Sequence, residues 1–136
     1  MPTITRFEDI QAWKTSRELT RKIYSISEQG QFAKDYGLKN QIQRASVSVM
    51  SNIAEGFESR TQAQFLEYLG RAKASAGEVR CQLYIALDLG YLPREQFDSV
   101  FDLADKSSRQ ISRFMEYLET HPQSRHVLEE GAEYEA

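Results

Sequence analysis

The residues that could carry out chemistry are concentrated in one stretch, RASVSVMSNIAEGFESR, which covers residues 44–60. Polar residues follow one another there at spacings of four, three and four, with an asparagine beside them: Arg44, Ser48, Ser51, Glu55 and Asn52. Such spacing places them on one face of a helix. Glu55 and Glu58 could act as a carboxylate pair in acid–base catalysis. The sequence places no histidine, metal ligand or apolar cleft beside them.

Other reactive residues are few and badly placed for catalysis. His121 and His126 are the only histidines, and neither has the glutamate three residues earlier that a di-iron bundle site requires. Cys81 has no histidine partner in the folded part and is expected to be a small buried or interfacial thiol. No phosphate-binding glycine loop or dinucleotide fingerprint is present. We therefore predict a protein that is not an enzyme and has no metal, no cofactor and no small-molecule substrate.

A second polar stripe follows on the next predicted helix. If the chain reverses near Ser59, Arg44 lies about one helical turn from Glu78. We predict an ion pair between these two residues, or a shared polar network between the helices. The two stripes together, called the polar seam below, are predicted to fix helix register or a subunit contact: Arg44, Ser48, Ser51, Asn52, Glu55, Gly56, Arg71, Ser75 and Glu78.

Basic residues form two further stripes. Lys106, Arg109 and Arg113 follow Asp102 and Asp105 at the favourable spacing of four, which indicates a self-neutralised solvent face. The stripe on the first helix has fewer acidic neighbours, and it could either track phosphates or be a plain solvated face. The residues that would contact nucleic acid, if the protein binds it, are Lys14, Arg17, Arg21, Lys22, Arg44 and Arg71.

Four helical segments must position these residues. Apolar residues recur at spacings of three and four over about 7–29, 35–55, 62–89 and 93–119, and no segment alternates with period two. Thr61 and Gln64 form a capping-box pattern. Gly56 is predicted to end the second helix. The expected fold is all-α, an antiparallel up-down-up-down four-helix bundle over residues 1–119.

Charge and composition narrow the class of protein. The 136 residues carry a net charge of −3, all of it in an acidic tail at 120–136 that we predict to be disordered. The body is neutral, unlike a strongly basic nucleic-acid binder. No apolar run could span a membrane, no secretory signal is evident, and one cysteine suits a reducing compartment, so we expect a cytoplasmic protein. Apolar residues beyond one core face predict a homo-oligomer: Leu66, Tyr84, Ile85, Leu87, Val100, Leu103, Phe114 and Tyr117.

Several motifs resemble one family. FEDIQAW at 7–13, YGL at 36–38, NIAEG at 52–56 and LGYL at 89–92 are similar to bacterial four-helix-bundle proteins encoded in intervening sequences of 23S rRNA genes. The resemblance implies a ring-like homopentamer. Related proteins serve reverse transcriptases of diversity-generating retroelements as accessory factors that bind nucleic acid through a basic surface. This sequence differs from the family pattern at Ala33, where a proline is common, and at Ala74, where a glycine is usual. Its body is also electrically neutral, whereas the retroelement factors are basic.

Two hypotheses follow from these patterns. The first is a non-enzymatic cytosolic assembly protein of unestablished biochemical role that forms a homo-oligomer, which the resemblance implies is a pentamer. The alternative is a nucleic-acid-binding accessory protein of the retroelement-associated type. Salt-dependent binding to nucleic acid separates the two, because phosphate contacts weaken steeply as salt rises.

Overall fold

The computed structural model describes residues 4–121, and over that range the chain is helical, as the sequence predicts. A 3₁₀ helix, Phe7–Asp9, comes first. The α-helices that follow are α1 Gln11–Ser27, α2 Gly30–Lys34, α3 Tyr36–Glu58, α4 Gln62–Asp88 and α5 Arg94–Thr120. No strand forms within residues 4–121. The predicted disordered tail falls outside the described range from residue 122 onward.

The first predicted helix, 7–29, is interrupted near its start and ends early. Ile10 has an extended backbone (φ −75°, ψ 124°) between the 3₁₀ helix and α1, and its side chain is fully buried. Burial of this side chain stabilises a bend between the 3₁₀ helix and α1, which the spacing of apolar residues did not predict. α1 ends at Ser27, and Gly30, at a φ of +54°, begins the short helix α2, which the sequence did not predict.

Gly56 lies inside α3, so the prediction that it ends this helix was wrong. The helix continues to Glu58, and Gly56 does not have a positive φ. A Cβ on Gly56 would lie 2.8 Å from Tyr68 Cβ and 2.9 Å from Phe65 Cδ1. Glycine is therefore required here because α4 approaches the backbone of α3, and not because a helix terminates.

The start of α4 follows the predicted capping box. Gln64 N donates to Thr61 Oγ1 at 3.1 Å, and Thr61 N donates to Gln64 Oε1 at 3.2 Å. These reciprocal bonds satisfy two backbone donors that a helix N-terminus leaves free. At the other end, Gly90 has a φ of +73° just beyond α4, and Pro93 stands directly before α5.

A hydrogen-bonded joint ties the loop after α4 to the start of α3. Asp35 Oδ1 accepts from Leu38 N at 3.1 Å as the N-cap of α3, and Tyr91 Oη donates to Asp35 Oδ2 at 2.8 Å. The backbone bond from Leu38, followed by the Tyr91 hydroxyl, lowers the pKa of Asp35 below its ordinary 3.8. The same contact raises the pKa of Tyr91 above 10.0. Both shifts follow because the bond favours the carboxylate and the neutral phenol.

The core lies between the four long helices. α1 and α4 each pack against both α3 and α5. Two clusters of buried apolar side chains fill the space; the first includes Ile10, Val49, Phe65 and Phe114, and the second includes Leu19, Ile42, Leu83 and Phe97. Ser16 and Ser107 are buried as well, with their hydroxyls 2.9 Å apart. Each buried hydroxyl therefore has a partner, as an apolar interior requires.

Candidate functional site

The centre of the polar seam is a contact between two hydroxyls. Ser48 Oγ of α3 and Ser75 Oγ of α4 lie 2.8 Å apart, and both side chains are half-buried. Asn52 Nδ2, one turn along α3, donates to Ser48 O and Ser48 Oγ, each at 2.9 Å. Three of the predicted seam residues thus form one network that holds α3 against α4.

The predicted Arg44–Glu78 ion pair is absent among residues 4–121. Gln82 of α4 takes that place instead: its Nε2 donates to Glu78 Oε2 at 3.1 Å and to Gln41 Oε1 of α3 at 3.2 Å. Gln82 is only 5% exposed, so these bonds satisfy a buried donor. A shared polar network does link the two helices, as the alternative form of the prediction stated. Sequence reasoning did not assign Gln41 or Gln82 to this network, although each lies one turn along the same stripe, from Arg44 and from Glu78.

The remaining seam residues face solvent. Arg44, Ser51 and Glu55 are exposed on α3, and Glu78 is exposed on α4. Arg71 is also exposed; its Nη2 lies 2.7 Å from Glu67 Oε1, and its guanidinium lies over the Tyr68 ring at 5.1 Å. The predicted seam therefore divides into an inner part that joins helices and an outer part on the surface. Gly56 belongs to the inner part.

A shallow groove along α1 collects four of the predicted nucleic-acid-binding residues. Its lining combines five cations with two carboxylates and one indole: Arg6, Lys14, Arg17, Arg21, Lys22, Glu8, Glu18 and Trp13. Arg17 lies over the Trp13 ring at 5.7 Å, and Phe7 packs edge-on against the same ring. Arg44 and Arg71, on α3 and α4, do not line this groove. The six predicted residues therefore do not form one surface.

A second cationic groove lies between α4 and α5. It is lined by residues of both helices, namely Lys73, Arg80, Asp105, Ser108, Arg109, Ser112 and Arg113. Asp105 pairs with two of the cations: Arg80 Nη1 lies 3.3 Å from Oδ1, and Arg109 Nε lies 3.1 Å from Oδ2. The expected Asp102–Lys106 pair is not closed within 4 Å in the described part of the chain. Self-neutralisation of the α5 stripe is thus only partial.

The sequence did contain a signal for this second groove. Lys73 and Arg80 are seven residues apart, which places them on one face of α4. What the sequence could not supply is the rotation of α4 that turns this face toward the basic stripe of α5. Sequence reasoning therefore missed Lys73 and Arg80.

Groups suited to catalysis or metal binding do not converge in residues 4–121. That range holds no group of three or more His, Cys, Asp or Glu side chains able to hold a metal ion. Cys81 is exposed on α4, and His121 stacks on Tyr117 at the end of α5. The lowered carboxylate pKa values belong to Asp35 and to Glu28, whose pKa is reduced chiefly by its hydrogen bond from Gln43. Both lie at helix joints.

No helix in the described part of the chain has an apolar stretch long enough to cross a bilayer. This observation concerns residues 4–121 alone.

Over residues 4–121 the fold is that of a small helical protein, consistent with a helical bundle, and its polar groups join helices and line two cationic grooves. Residues 8–113 match the family model of the 23S rRNA-intervening sequence protein, and the chain belongs to this family. A solved structure of similar fold is a protein with unknown function from the S23 ribosomal protein family of Bacteroides thetaiotaomicron. The likeness has a TM-score of 0.71 at 23% identity and covers 76% of this chain and 97% of that one. No curated protein matches the chain.

Proposed function

We propose that this protein is a non-enzymatic cytoplasmic assembly protein, an up-down-up-down four-helix bundle that forms a ring-like homopentamer. The contacts between helices support the topology. Ser48 meets Ser75 and Gln41 meets Gln82, so later residues of α3 lie against earlier residues of α4. Arg80 and Asp105 pair between α4 and α5, while Gln62 at the start of α4 donates to Leu118 O near the end of α5 at 2.7 Å. These contacts support opposite directions for α3 and α4, and for α4 and α5.

The observation that carries the assembly proposal is the apolar outer surface of α4. Near the C-terminal end of this helix, Tyr84 is 51% exposed, Ile85 43% and Leu89 55%. Cys81 is exposed one turn before Ile85, where an interfacial thiol would lie. The opposite face of α4 is fully buried in the core at Val79, Leu83 and Ala86. A helix that is apolar on both sides is typical of one that packs against a second surface.

Family membership supports the same proposal from a different direction. The family model covers residues 8–113, which include the whole outer surface of α4. The pentameric ring is what the sequence resemblance implies for such proteins. Pentamers close by cyclic symmetry through one repeated, heterologous contact.

The experiment is a comparison of solution masses by size-exclusion chromatography with light scattering. The variant Ile85→Lys/Leu89→Lys places two charges on the proposed contact, and we expect it to run as a smaller species than the wild type. Its control, Gln31→Lys, adds a charge at an exposed position of α2 and should keep the wild-type mass. Unchanged assembly of the double variant, with its helical content intact, would refute this contact.

A second candidate function rests on the groove along α1. It gathers Lys14, Arg17, Arg21 and Lys22 beside Trp13, and cations interleaved with an aromatic ring suit the phosphates and bases of a nucleic acid. The protein would then be an accessory factor of the retroelement-associated type. Within residues 4–121 none of these four cations has a carboxylate oxygen within 4 Å, so they are available to phosphates.

Fluorescence polarisation with single-stranded and duplex DNA and RNA tests this second function. Binding that weakens steeply with salt is expected, and Arg17→Gln/Arg21→Gln should reduce both the affinity and the slope with salt. Lys34→Gln/Arg60→Gln, which removes two exposed positive charges outside the groove along α1, is the matched control. Absence of binding to every probe at low salt would eliminate this candidate while leaving the assembly proposal intact.

A further inference from the structure

Four cations share a single carboxylate in the groove between α4 and α5. Lys73 and Arg80 come from α4, and Arg109 and Arg113 from α5; Asp105 is the one acidic residue that lines the groove. The lining therefore carries three net positive charges at neutral pH. Mutual repulsion of cations in a concave surface is relieved by a bound anion, and the same geometry raises the local concentration of anions.

The groove also contains more hydrogen-bond donors than its single carboxylate can accept from. Asp105 already accepts from both Arg80 and Arg109. Arg80 Nε is buried and has no hydrogen-bond partner in the described part of the chain. Lys73 and Arg113 have no carboxylate oxygen within 4 Å among residues 4–121. The open donors of this groove are therefore those of Lys73 and Arg113, which are exposed, whereas Arg80 Nε is closed off from solvent.

From these observations we infer that the α4–α5 groove is an oxyanion site that takes a phosphate group. The guanidinium groups of Arg80, Arg109 and Arg113 offer forked donors that match the oxygens of a phosphate, and Lys73 adds a point charge. Hydroxyl donors are available from Ser108 and Ser112, which line the same groove. A tetrahedral dianion suits this set of several donors and three surplus charges better than a single carboxylate, which has two oxygens and one charge.

This site is separate from the groove along α1. Its residues lie on α4 and α5, and none of them belongs to the lining around Trp13. The inference does not depend on whether the α1 groove binds nucleic acid, nor on the number of subunits. Free oligophosphates and the backbone of a nucleic acid present the same phosphate chemistry, so the test must distinguish these two sources.

Isothermal titration calorimetry with tripolyphosphate at low salt tests the site directly. Lys73→Gln/Arg113→Gln removes two exposed cations that hold no ion pair in the described structure, so folding should be unaffected. We expect this variant to bind roughly tenfold more weakly or worse, since two charge-assisted contacts are lost. The control Lys34→Gln/Arg60→Gln removes the same charge at exposed positions outside both grooves and should stay within roughly twofold of the wild type. An equal loss in both double variants would show diffuse charge attraction and overturn the inference.

Asp105→Asn provides a test in the opposite direction. Loss of this carboxylate frees the donors of Arg80 and Arg109 and adds one net positive charge, so tripolyphosphate should bind more tightly. A purely structural role for the cluster predicts no such gain. No binding by the wild type, or unchanged binding by Asp105→Asn, would contradict the proposed site.

Competition identifies the source of the phosphate. A short single-stranded DNA that displaces tripolyphosphate from the wild type, and that loses affinity in Lys73→Gln/Arg113→Gln, places a nucleic-acid backbone in the groove. A DNA that fails to compete while tripolyphosphate binds assigns the site to free oligophosphates. Either result supports a phosphate site, and failure of tripolyphosphate to bind this groove overturns it.

Discussion

At Gly56 the backbone of α3 comes so close to α4 that a methyl group has no room. Its nearest neighbours would be Tyr68 Cβ and the buried ring of Phe65. Neither can move far, because a Cβ is fixed to its backbone and the Phe65 ring packs edge-on against Phe114 at 5.3 Å. The close approach also brings Ser48 and Ser75 within hydrogen-bonding distance about two turns away along α3.

Gly56→Ala is expected to lower the free energy of unfolding by about 1–2 kcal/mol, because overpacking outweighs the gain in helix propensity. Gly70→Ala is the control, since its Cβ would meet only Met115 Cε at 3.9 Å. That change should be neutral or stabilise by up to about 1 kcal/mol. Urea unfolding at one protein concentration measures both. Equal effects of the two substitutions would contradict the close-approach explanation.

The hydrogen bond between Ser48 and Ser75 should contribute less to the free energy of unfolding, and it needs both side chains. Each single change to alanine removes one partner of a half-buried hydrogen bond and should cost about 0.5–1.5 kcal/mol. The double change should cost clearly less than the sum, since both polar groups then disappear together. A double-mutant cycle by chemical unfolding measures this coupling. Strictly additive single effects would show that the contact contributes nothing.

The N-terminus of helix α3 is held by hydrogen bonds to residues outside the helix. Asp35 caps its N-terminus and also holds Tyr91 from the loop between α4 and α5. A second carboxylate, Glu28 after α1, accepts from Gln43 of α3 and pairs with Lys39 at 3.1 Å. Both acidic groups have a pKa below the ordinary value, so both favour the folded state only when ionised.

The sign of the pH dependence follows from these lowered pKa values. Above the unfolded pKa of 3.8 the stabilisation by Asp35 is fully present, and it is lost as the pH falls through the lower folded pKa. Asp35→Ala should therefore be less stable than the wild type at neutral pH and should lose less stability on acidification. The slope should not vanish, since Glu28 still titrates. Urea unfolding across the acid range measures it, and identical slopes in the two proteins would contradict the prediction.

Helices were predictable from this sequence because their signals are local. The capping box at Thr61 and Gln64 needs only three residues, and spacings of three and four give the buried faces of α4 and α5. Interruptions were harder to predict. Ile10 fits a helical repeat but lies in extended backbone, because its burial depends on helices far along the chain. Likewise, a glycine near a helix end looks the same in sequence whether it terminates the helix or, like Gly56, admits a neighbour.

The candidate sites were predictable only where a single helix builds them. Lys14, Arg17, Arg21 and Lys22 line one groove, as their spacing on α1 indicated. The α4–α5 groove joins Lys73 and Arg80 to residues some thirty positions later, and its existence depends on how two helices rotate against each other. The Arg44–Glu78 pair failed for the same reason: the register of α3 against α4 brings Gln41 and Gln82 together instead.

In the molecule as a whole, α4 takes part in the core, in the polar seam, in the α4–α5 groove and in the proposed subunit contact. One face fills the core, one side carries Ser75 and Gln82 toward α3, and the other carries Lys73 and Arg80 toward α5. Its outer surface leaves Tyr84, Ile85 and Leu89 exposed. We propose that another copy of the chain covers this apolar surface.

Assembly into a homo-oligomer is decided by native mass spectrometry of the untagged protein at micromolar concentration, because this method counts subunits. We predict a complex of five times the 15.7 kDa chain mass, and a smaller species for Ile85→Lys/Leu89→Lys. A wild-type protein found only at 15.7 kDa under these conditions would contradict this prediction.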